Sequence, residues 1–171
     1  MFQSLSKPVT KIVRCFSTNA VDIFKKSCYS KIDYKINENE NVQKAVNRFA
    51  SCDIGCLAVV DNHNKLVGIF SEGDFIKKVA SAEKETAAIQ IKDVCTHAPS
   101  ILIAKPDDSL EELMSKMHVK KIRHLVLVDK EELQGLISIT DLFREIIKKD
   151  KEMIRRFTDY KLGKGAYFGS D

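Results

Sequence analysis

The spacing of apolar residues changes between strand-like and helical periods along the first half of the chain. Residues 32–36 alternate apolar and polar side chains, which predicts a β-strand. The next apolar residues recur at helical spacing: Val42, Ala45, Val46 and Phe49. Two short apolar runs, residues 57–60 and 66–70, are separated by a polar stretch and predict a hairpin. A further helix is expected over residues 74–80.

The second half repeats this order after a polar connector at residues 81–90. A strand is predicted at residues 101–103, and Ser109 and Glu112 have the spacing of a capping box that starts a helix. The buried side of that helix is predicted to carry four apolar residues: Leu110, Leu113, Met114 and Met117. A second hairpin then precedes a last helix, which we expect over about residues 141–160.

The two halves are also similar in sequence. Residues 54–61 reappear 68 residues later as 122–129, and residues 66–75 reappear as 133–142. One supersecondary unit is therefore used twice. Each predicted sheet is too small to bury both of its faces alone. We therefore predict an α/β fold of the α+β kind, in which two β-α-β-β-α repeats pack about a pseudo-twofold axis around one shared core.

The predicted boundaries follow from these patterns. Residues 21–31 lead into the first repeat at 32–80. The connector then leads to the second repeat at 91–148, and a helical extension and tail occupy 149–171.

Length and composition are those of a globular protein. The 171 residues suffice for one compact domain or for two small units sharing a core, and 44% of them are hydrophobic. No apolar run approaches the roughly 20 residues needed to cross a bilayer, so we predict no membrane span. The net charge is +4, and Lys7, Lys11 and Arg14 near the N-terminus account for three of these charges. The rest of the chain therefore has a net charge of only +1 and no overall basic character. A nucleic-acid partner is therefore not expected.

Five cysteines are scattered along the chain: Cys15, Cys28, Cys52, Cys56 and Cys95. They form no C-x-x-C pair, and the four histidines are not at zinc-ligand spacing relative to them. An odd number of scattered cysteines favours reduced thiols in an intracellular compartment. We interpret them as small buried apolar residues, with a redox or metal role as the lesser alternative. No metal site is predicted.

Residues 1–20 differ in kind from the rest of the chain. They contain no acidic residue, are rich in Ser and Thr, and place apolar residues at helical spacing with cations elsewhere around the helix. This composition is typical of a mitochondrial transit peptide. Residues 14–17 resemble a matrix-protease site with cleavage after Phe16. The expected location is the mitochondrial matrix or the matrix side of the inner membrane; the alternative is a frayed basic tail.

A polar signature occurs at the same place in both copies. A glycine on the second hairpin strand is followed three residues later by Ser-x-x-Asp at the start of a helix. The residues are Gly68, Ser71 and Asp74 in the first copy and Gly135, Ser138 and Asp141 in the second. A capping box explains a lone Ser-x-x-Asp. The glycine admits a ligand to the backbone, the helix N-terminus suits a phosphate, and a carboxylate accepts ribose hydroxyls, so the whole pattern predicts a nucleotide cradle.

These motifs, Gly68-Ile-Phe-Ser71-Glu-Gly-Asp74 and Gly135-Leu-Ile-Ser138-Ile-Thr-Asp141, resemble the adenosine-binding motifs of cystathionine-β-synthase (CBS) domains. The resemblance covers residues 31–148. Val94-Cys95-Thr96 stands where the second repeat of this family usually begins with a hydrophobic residue, Met and Thr. The C-terminal stretch through Tyr167 is similar to small stand-alone CBS-pair proteins of plant and other mitochondria.

The resemblance implies an adenosine-containing ligand between the two halves. By position in the motif, Ser71 and Ser138 would contact phosphate or ribose, and Asp74 and Asp141 would hold the ribose. It does not choose among AMP, ADP, ATP, NAD(H) and S-adenosylmethionine.

The two copies differ beside the first hairpin strand. Arg123 and His124 stand in the second copy, and the nucleotide-sensing γ subunit of AMP-activated kinase is similar in placing cations on phosphates there. The first copy has Gly55 and Cys56 at these positions. An arginine fork gives a charge-assisted phosphate contact about twice as strong as a neutral hydrogen bond. We therefore predict that Arg123 and His124 bind the ligand; for Arg123 the alternative is a solvated cation on an edge strand.

The function predicted from these residues is regulatory. The protein would sense an adenosine ligand in mitochondria and pass its occupancy to a partner protein through the orientation of the two halves. The alternative is a structural accessory subunit of a mitochondrial assembly, such as a respiratory or ATP-synthase complex. An enzyme is not expected, because no nucleophile, base and orienting group form a local pattern. A homodimer is a further open possibility.

Overall fold

A computed structural model describes residues 18–82 and 85–162 of the chain. The predicted targeting segment, residues 1–20, lies outside this part except for its last three residues. The extension predicted at residues 149–171 is described as far as Leu162.

The first half follows the predicted order of strand, helix, hairpin and helix, and a short helix precedes it. Its elements are α1 (Ala20–Lys26), β1 (Lys35–Asn37), α2 (Val42–Cys52), β2 (Cys56–Val60), β3 (Leu66–Ser71) and α3 (Glu72–Lys78).

The second half has the same order, and its last helix is the longest element described. Its elements are β4 (Thr96–His97), β5 (Ile103–Ala104), α4 (Leu110–Lys120), β6 (His124–Asp129), β7 (Glu132–Ser138) and α5 (Ile139–Lys161). The two β-α-β-β-α repeats are therefore confirmed. The two-residue strand β4 was not predicted, because Thr96 and His97 do not form an apolar run.

The strands form two sheets, in the order β1-β2-β3-β4 and β5-β6-β7. In each sheet the first pair is parallel and the hairpin is antiparallel. Strand β4 belongs to the second half in sequence but pairs with β3 of the first, with Gly68 opposite His97 and Ile69 opposite Thr96. This pairing ties the start of the second repeat to the edge of the first repeat's sheet.

The capping box predicted at Ser109 forms, and the Ser-x-x-Asp motif at Ser71 forms one as well. The Ser71 side chain accepts a hydrogen bond from the Asp74 backbone N–H, and the Asp74 carboxylate accepts from the Ser71 backbone N–H. Ser109 and Glu112 exchange the same pair of bonds at the start of α4. These bonds satisfy N–H groups that a first helical turn leaves unpaired. They also fix Asp74 directly after the end of β3.

Apolar side chains from both repeats form a common core. Val126 and Leu136 of the second repeat are fully buried in the same cluster as Leu57 of the first. In that cluster the rings of Phe49 and Phe70 stack with their centroids 5.9 Å apart. The shared core predicted from the small sheets is therefore present.

The cysteines do not all behave as predicted. Cys56 and Cys95 are buried, but Cys28 and Cys52 are exposed, so the prediction of buried thiols is wrong for these two. Cys28 starts a surface 3₁₀ turn and Cys52 ends α2, where the chain meets solvent. Cys15 lies outside the described residues. Within residues 18–82 and 85–162, no three His, Cys, Asp or Glu side chains are grouped closely enough to hold a metal ion.

None of the helices in the described ranges combines the length and apolarity needed to cross a membrane.

Candidate functional site

A cleft of about 630 Å³ lies where the two repeats meet. We call it the inter-repeat cleft. It brings together Ser71 and Asp74 of the first repeat with Arg123 and His124 of the second. Its other lining residues come from both repeats and from the segment that joins them: Cys56, Ile69, Gly73, Lys77, Thr96, Pro99, Ser100, Ile101, Leu102, Lys120, Lys121 and Ile122. Four of the eight predicted site residues therefore line one cavity.

Asp74 is the carboxylate of this cleft. Its Oδ2 accepts hydrogen bonds from the Ser71 backbone N–H at 3.1 Å and from the Ser71 hydroxyl at 2.7 Å. Its Oδ1 accepts from the Thr96 hydroxyl at 2.9 Å and from the Lys78 ammonium at 2.8 Å. Burial works to raise the pKa of Asp74, but the hydrogen bonds from Lys78, Ser71 and Thr96 outweigh it and lower that pKa. Asp74 is therefore a charged acceptor at neutral pH.

Three lysines that the sequence analysis did not single out also line the cleft. Lys77 lies on α3 three residues after Asp74, so it shares that face of the helix. Lys120 and Lys121 lie at the end of α4, just before Arg123. The helical spacing from Asp74 was the signal that could have identified Lys77. Lys120 and Lys121 carry no such signal, because their position depends on where α4 ends.

His124 lies at the first position of β6, between the inter-repeat cleft and the buried ring of Tyr29. The two rings meet edge to face with their centroids 6.1 Å apart. Burial, and secondarily the charge of Arg123, lowers the pKa of His124 to about 4, although Asp141 acts in the opposite direction. The imidazole is therefore neutral at neutral pH.

This shift predicts a dependence of stability on pH. The pKa of His124 is below its ordinary value of 6.5 in the folded protein, so between pH 6.5 and about 4 only the unfolded chain takes up the proton. Stability should therefore fall as pH falls through this window, by at most about 3 kcal/mol from this group. Urea unfolding of the wild type and of His124→Gln at pH 7 and pH 4 measures it. The variant keeps every other titrating group, so parallel losses in the two proteins would contradict the assignment.

Asp141 does not line the inter-repeat cleft. Its Oδ2 accepts hydrogen bonds from the Ser138 backbone N–H at 2.9 Å, from the Ser138 hydroxyl at 2.6 Å and from the Ser27 hydroxyl at 2.9 Å. Its Oδ1 accepts from Arg144 at 2.8 Å. The residue is 4% exposed. Its capping geometry matches that of Asp74, but the chain itself covers it.

The two strand glycines were expected to admit a ligand to the backbone, but in the structure they make room for other parts of the protein. A Cβ atom added at Gly68 would lie 2.8 Å from the Thr96 carbonyl oxygen. One added at Gly135 would overlap the ring of Phe24. The Thr96 backbone and the Phe24 ring therefore occupy the space that was expected to admit a ligand.

A smaller cavity of about 240 Å³ lies on the other side of Arg123 and His124. It is lined by Gly55, Glu72 and Ser138 among others, and the Arg123 guanidinium lies 3.8 Å from the Glu72 carboxylate. The eight predicted residues are thus divided. Four line the inter-repeat cleft, Ser138 borders the smaller cavity, and Asp141 and the two glycines are covered by the chain.

The fold and the cleft define a protein of two β-α-β-β-α repeats with a ligand-sized, cation-lined cavity between them. The family model for the CBS domain matches residues 20–81 and 91–148. The chain belongs to the CBS domain family, as its motifs predicted. The first match begins at residue 20, so it includes α1, which we had assigned to the segments before the first repeat.

Known proteins of the family are similar over most of this chain. A mitochondrial CBS domain-containing protein of Arabidopsis thaliana, CBSX3, is 24% identical over 127 residues, covering 73% of this chain and 62% of that protein. The chain therefore spans less than two thirds of that relative. A CBS-domain protein from Burkholderia ambifaria MC40-6 has a TM-score of 0.69 at 30% identity, covering 77% of this chain and 95% of the other. The CBS domain pair of protein MJ0100, solved with 5′-methylthioadenosine and S-adenosyl-L-methionine, has a TM-score of 0.62 at 25% identity, covering 74% and 97%.

Proposed function

We propose that this protein is a regulatory module that binds an adenosine nucleotide in the inter-repeat cleft. The observation that carries the proposal is that Ser71 and Asp74 of one repeat face Arg123 of the other across a single cavity. The MJ0100 pair was solved with two adenosine-containing molecules, which supports adenosine as the constant part of the ligand. In this arrangement Asp74 accepts hydrogen bonds from the ribose and Arg123 donates to phosphate.

Asp74 has a donor that a ribose hydroxyl can replace. Lys78 and Thr96 both donate to its Oδ1, and the Lys78 side chain is 40% exposed. Lys78 also donates to the Val94 carbonyl oxygen at 2.9 Å and to the Cys95 carbonyl oxygen at 3.2 Å, so its ammonium keeps these partners when the sugar enters. The capping bonds from Ser71 also stay in place. The carboxylate remains charged and hydrogen-bonded in both states.

The charge of the cleft favours the more phosphorylated nucleotides. Four cations line it, Lys77, Lys120, Lys121 and Arg123, and Asp74 is the acidic residue among its described lining. A triphosphate or diphosphate suits this excess of positive charge better than AMP or NAD(H) does, and uncharged adenosine gains nothing from it. The sulfonium cation of S-adenosylmethionine is repelled by it. The proposed ligand is ATP or ADP.

Calorimetric titration of the wild-type protein tests this proposal. ATP should bind more tightly than AMP, and AMP more tightly than adenosine. Raising the salt concentration should weaken ATP much more than adenosine, because screening acts on the phosphate contacts. Tighter binding of S-adenosylmethionine than of ATP, or binding of none of these molecules, would remove the proposed function.

Regulation follows from the position of the cleft between the repeats. A ligand that contacts both repeats stabilises one arrangement of them, and a partner that prefers that arrangement responds to nucleotide. Met114 is 40% exposed, so its predicted place on the buried side of α4 is wrong. With Val119, Phe143 and Ile147 it leaves an apolar surface on α4 and α5 that is available for such a contact. A mitochondrial partner protein, or a second copy of the chain, would bury this surface.

A structural accessory subunit is the second candidate function. The far half of α5 exposes Met153, Ile154 and Phe157, beyond the part that packs on the domain, and this favours a lasting protein contact. Cross-linking in isolated mitochondria distinguishes the two candidates. A regulatory module should change its cross-linked partner when ATP is depleted, whereas an accessory subunit should stay in one large complex at any ATP level.

We also propose a mitochondrial location. The acid-free composition of residues 1–20 and the similarity to the mitochondrial CBSX3 protein support it. A reporter fused to residues 1–25 should enter mitochondria, and replacing Lys7, Lys11 and Arg14 with Gln should keep it out. A diffuse cytosolic signal from the unchanged segment would contradict the proposal.

A further inference from the structure

The second repeat has residues equivalent to those of the inter-repeat cleft, but they do not form an open cavity of the same size. In the sequence repeat, Asp141 corresponds to Asp74 and Cys56 corresponds to His124. Asp74 and His124 both line the inter-repeat cleft. Under the pseudo-twofold relation, the equivalent space lies between Asp141 and Cys56.

The side chain of Tyr29 occupies that equivalent space. Burial raises the pKa of the Tyr29 hydroxyl, and Cys56 and Asp141 both lie close enough to that hydroxyl to act on the same pKa. The Tyr29 backbone N–H donates to the Ser27 hydroxyl, which in turn donates to Asp141. Its ring packs edge-on against His124, and the residue is 2% exposed. The small cavity beside Gly55 is what remains open on this side.

The segment that carries Tyr29 is fastened to the second repeat by further contacts. Ser27 is completely buried and donates to Asp141 at 2.9 Å, as Thr96 donates to Asp74 in the open cleft. Lys26 pairs with the buried Glu145 at 3.0 Å. Phe24 covers Gly135. The segment at residues 18–31 is thus held against the second repeat, with the Ser27 hydroxyl bonded to Asp141.

We propose that Tyr29 is a plug seated in a second adenosine site, and that it limits the protein to one bound nucleotide. This inference rests on the proposed function of the inter-repeat cleft. The phenol ring takes the place of the flat base, and the Ser27 hydroxyl takes the place of a ligand hydroxyl on Asp141. Gly55 stands where Arg123 supplies charge in the open cleft, so the plugged site would take the uncharged nucleoside part without a preference for phosphate.

The test is the binding stoichiometry of adenosine, measured by equilibrium dialysis. The wild type should bind one molecule, Tyr29→Ala should bind two, and Tyr29→Phe, which keeps the ring, should bind one. Tyr34→Ala is the matched control, because it removes a neighbouring ring of the same aromatic cluster from outside the site. Two adenosines on the wild type, no more adenosine on Tyr29→Ala than on the wild type, or more on Tyr34→Ala than on the wild type would each overturn the plug.

Adding Asp74→Ala separates this inference from the proposed function. Asp74→Ala alone should bind adenosine more weakly at the wild-type site, whereas Tyr29→Ala with Asp74→Ala should still bind one adenosine with unchanged affinity at the unplugged site. If the wild type binds none and Tyr29→Ala binds one, the proposed function of the inter-repeat cleft fails while the plug stands.

Removal of a buried ring can prevent folding, so a second measurement uses the wild type alone. Hydrogen exchange at saturating adenosine should show new protection at residues 71–78 and none at residues 138–141. Equal protection of both segments would overturn the plug without any variant.

Discussion

Asp74→Ala is expected to weaken the binding of ATP and of adenosine by the same factor, about 5- to 150-fold. The ribose is common to both ligands, and its hydroxyls would be left without their acceptor in a partly desolvated cleft. Such a loss costs about 1–3 kcal/mol, which gives that range of affinities. Isothermal titration calorimetry of both ligands on wild type and variant measures it.

Asp141→Ala is the matched control, since it removes the same residue of the same motif from the other repeat. Asp141 is covered by Ser27 and does not line the cleft, so the affinity of the folded protein for ATP should be unchanged. Asp141→Ala should instead lower the stability of the protein, because the buried hydroxyls of Ser27 and Ser138 lose their acceptor. Equal losses of ATP affinity in the two variants would mean that both aspartates bind the nucleotide, and the inter-repeat cleft would then not be its sole site.

Arg123→Ala is expected to weaken the binding of ATP but not that of adenosine. ATP should bind about 10- to 150-fold more weakly, which corresponds to the about 1.5–3 kcal/mol typical of a hydrogen bond to a charged group. Adenosine should be almost unaffected, because it has no phosphate for the guanidinium to bind. The pair of Arg123 with Glu72 is long and exposed, so its loss should hardly change stability.

Lys65→Ala is the control for Arg123→Ala. Lys65 is an exposed cation in the hairpin turn of the first repeat and does not line the inter-repeat cleft. Its removal lowers the net charge equally but should leave ATP affinity within experimental error. Equal weakening of adenosine and ATP in Arg123→Ala would assign the arginine to the fold rather than to phosphate.

The order of the elements was accessible from sequence because it depends on local patterns. The duplicated hairpins have apolar runs of the right length, and the capping boxes of Ser71 and Ser109 are contained in four residues each. The duplicated motif also identified the family, since it combines strand, turn and helix start at one spacing. These features can be predicted without knowing which other residues pack against them.

The difference between the two sites was not accessible in the same way. Sequence places identical Ser and Asp residues in both repeats, whereas the structure leaves Asp74 at an open cleft and covers Asp141. That outcome depends on Tyr29 and Ser27, which are distant in sequence from the residues they contact. Local periodicity carries no information about such a contact. The excess of cations in the inter-repeat cleft was not accessible for the same reason. Lys77 and Lys121 come to line one cleft only because the two repeats pack together.

We expect the nucleotide to bind in one cleft that both repeats build. Titration of ATP into ¹⁵N-labelled protein, followed by amide chemical shifts, tests it most directly. The largest shifts should fall on Ser71, Asp74 and Thr96 in one wall and on Lys121 and Arg123 in the other, and should stay small at Met114 and Phe143. Shifts centred on Met114 and Phe143, or confined to the residues around Ser138, would contradict the claim.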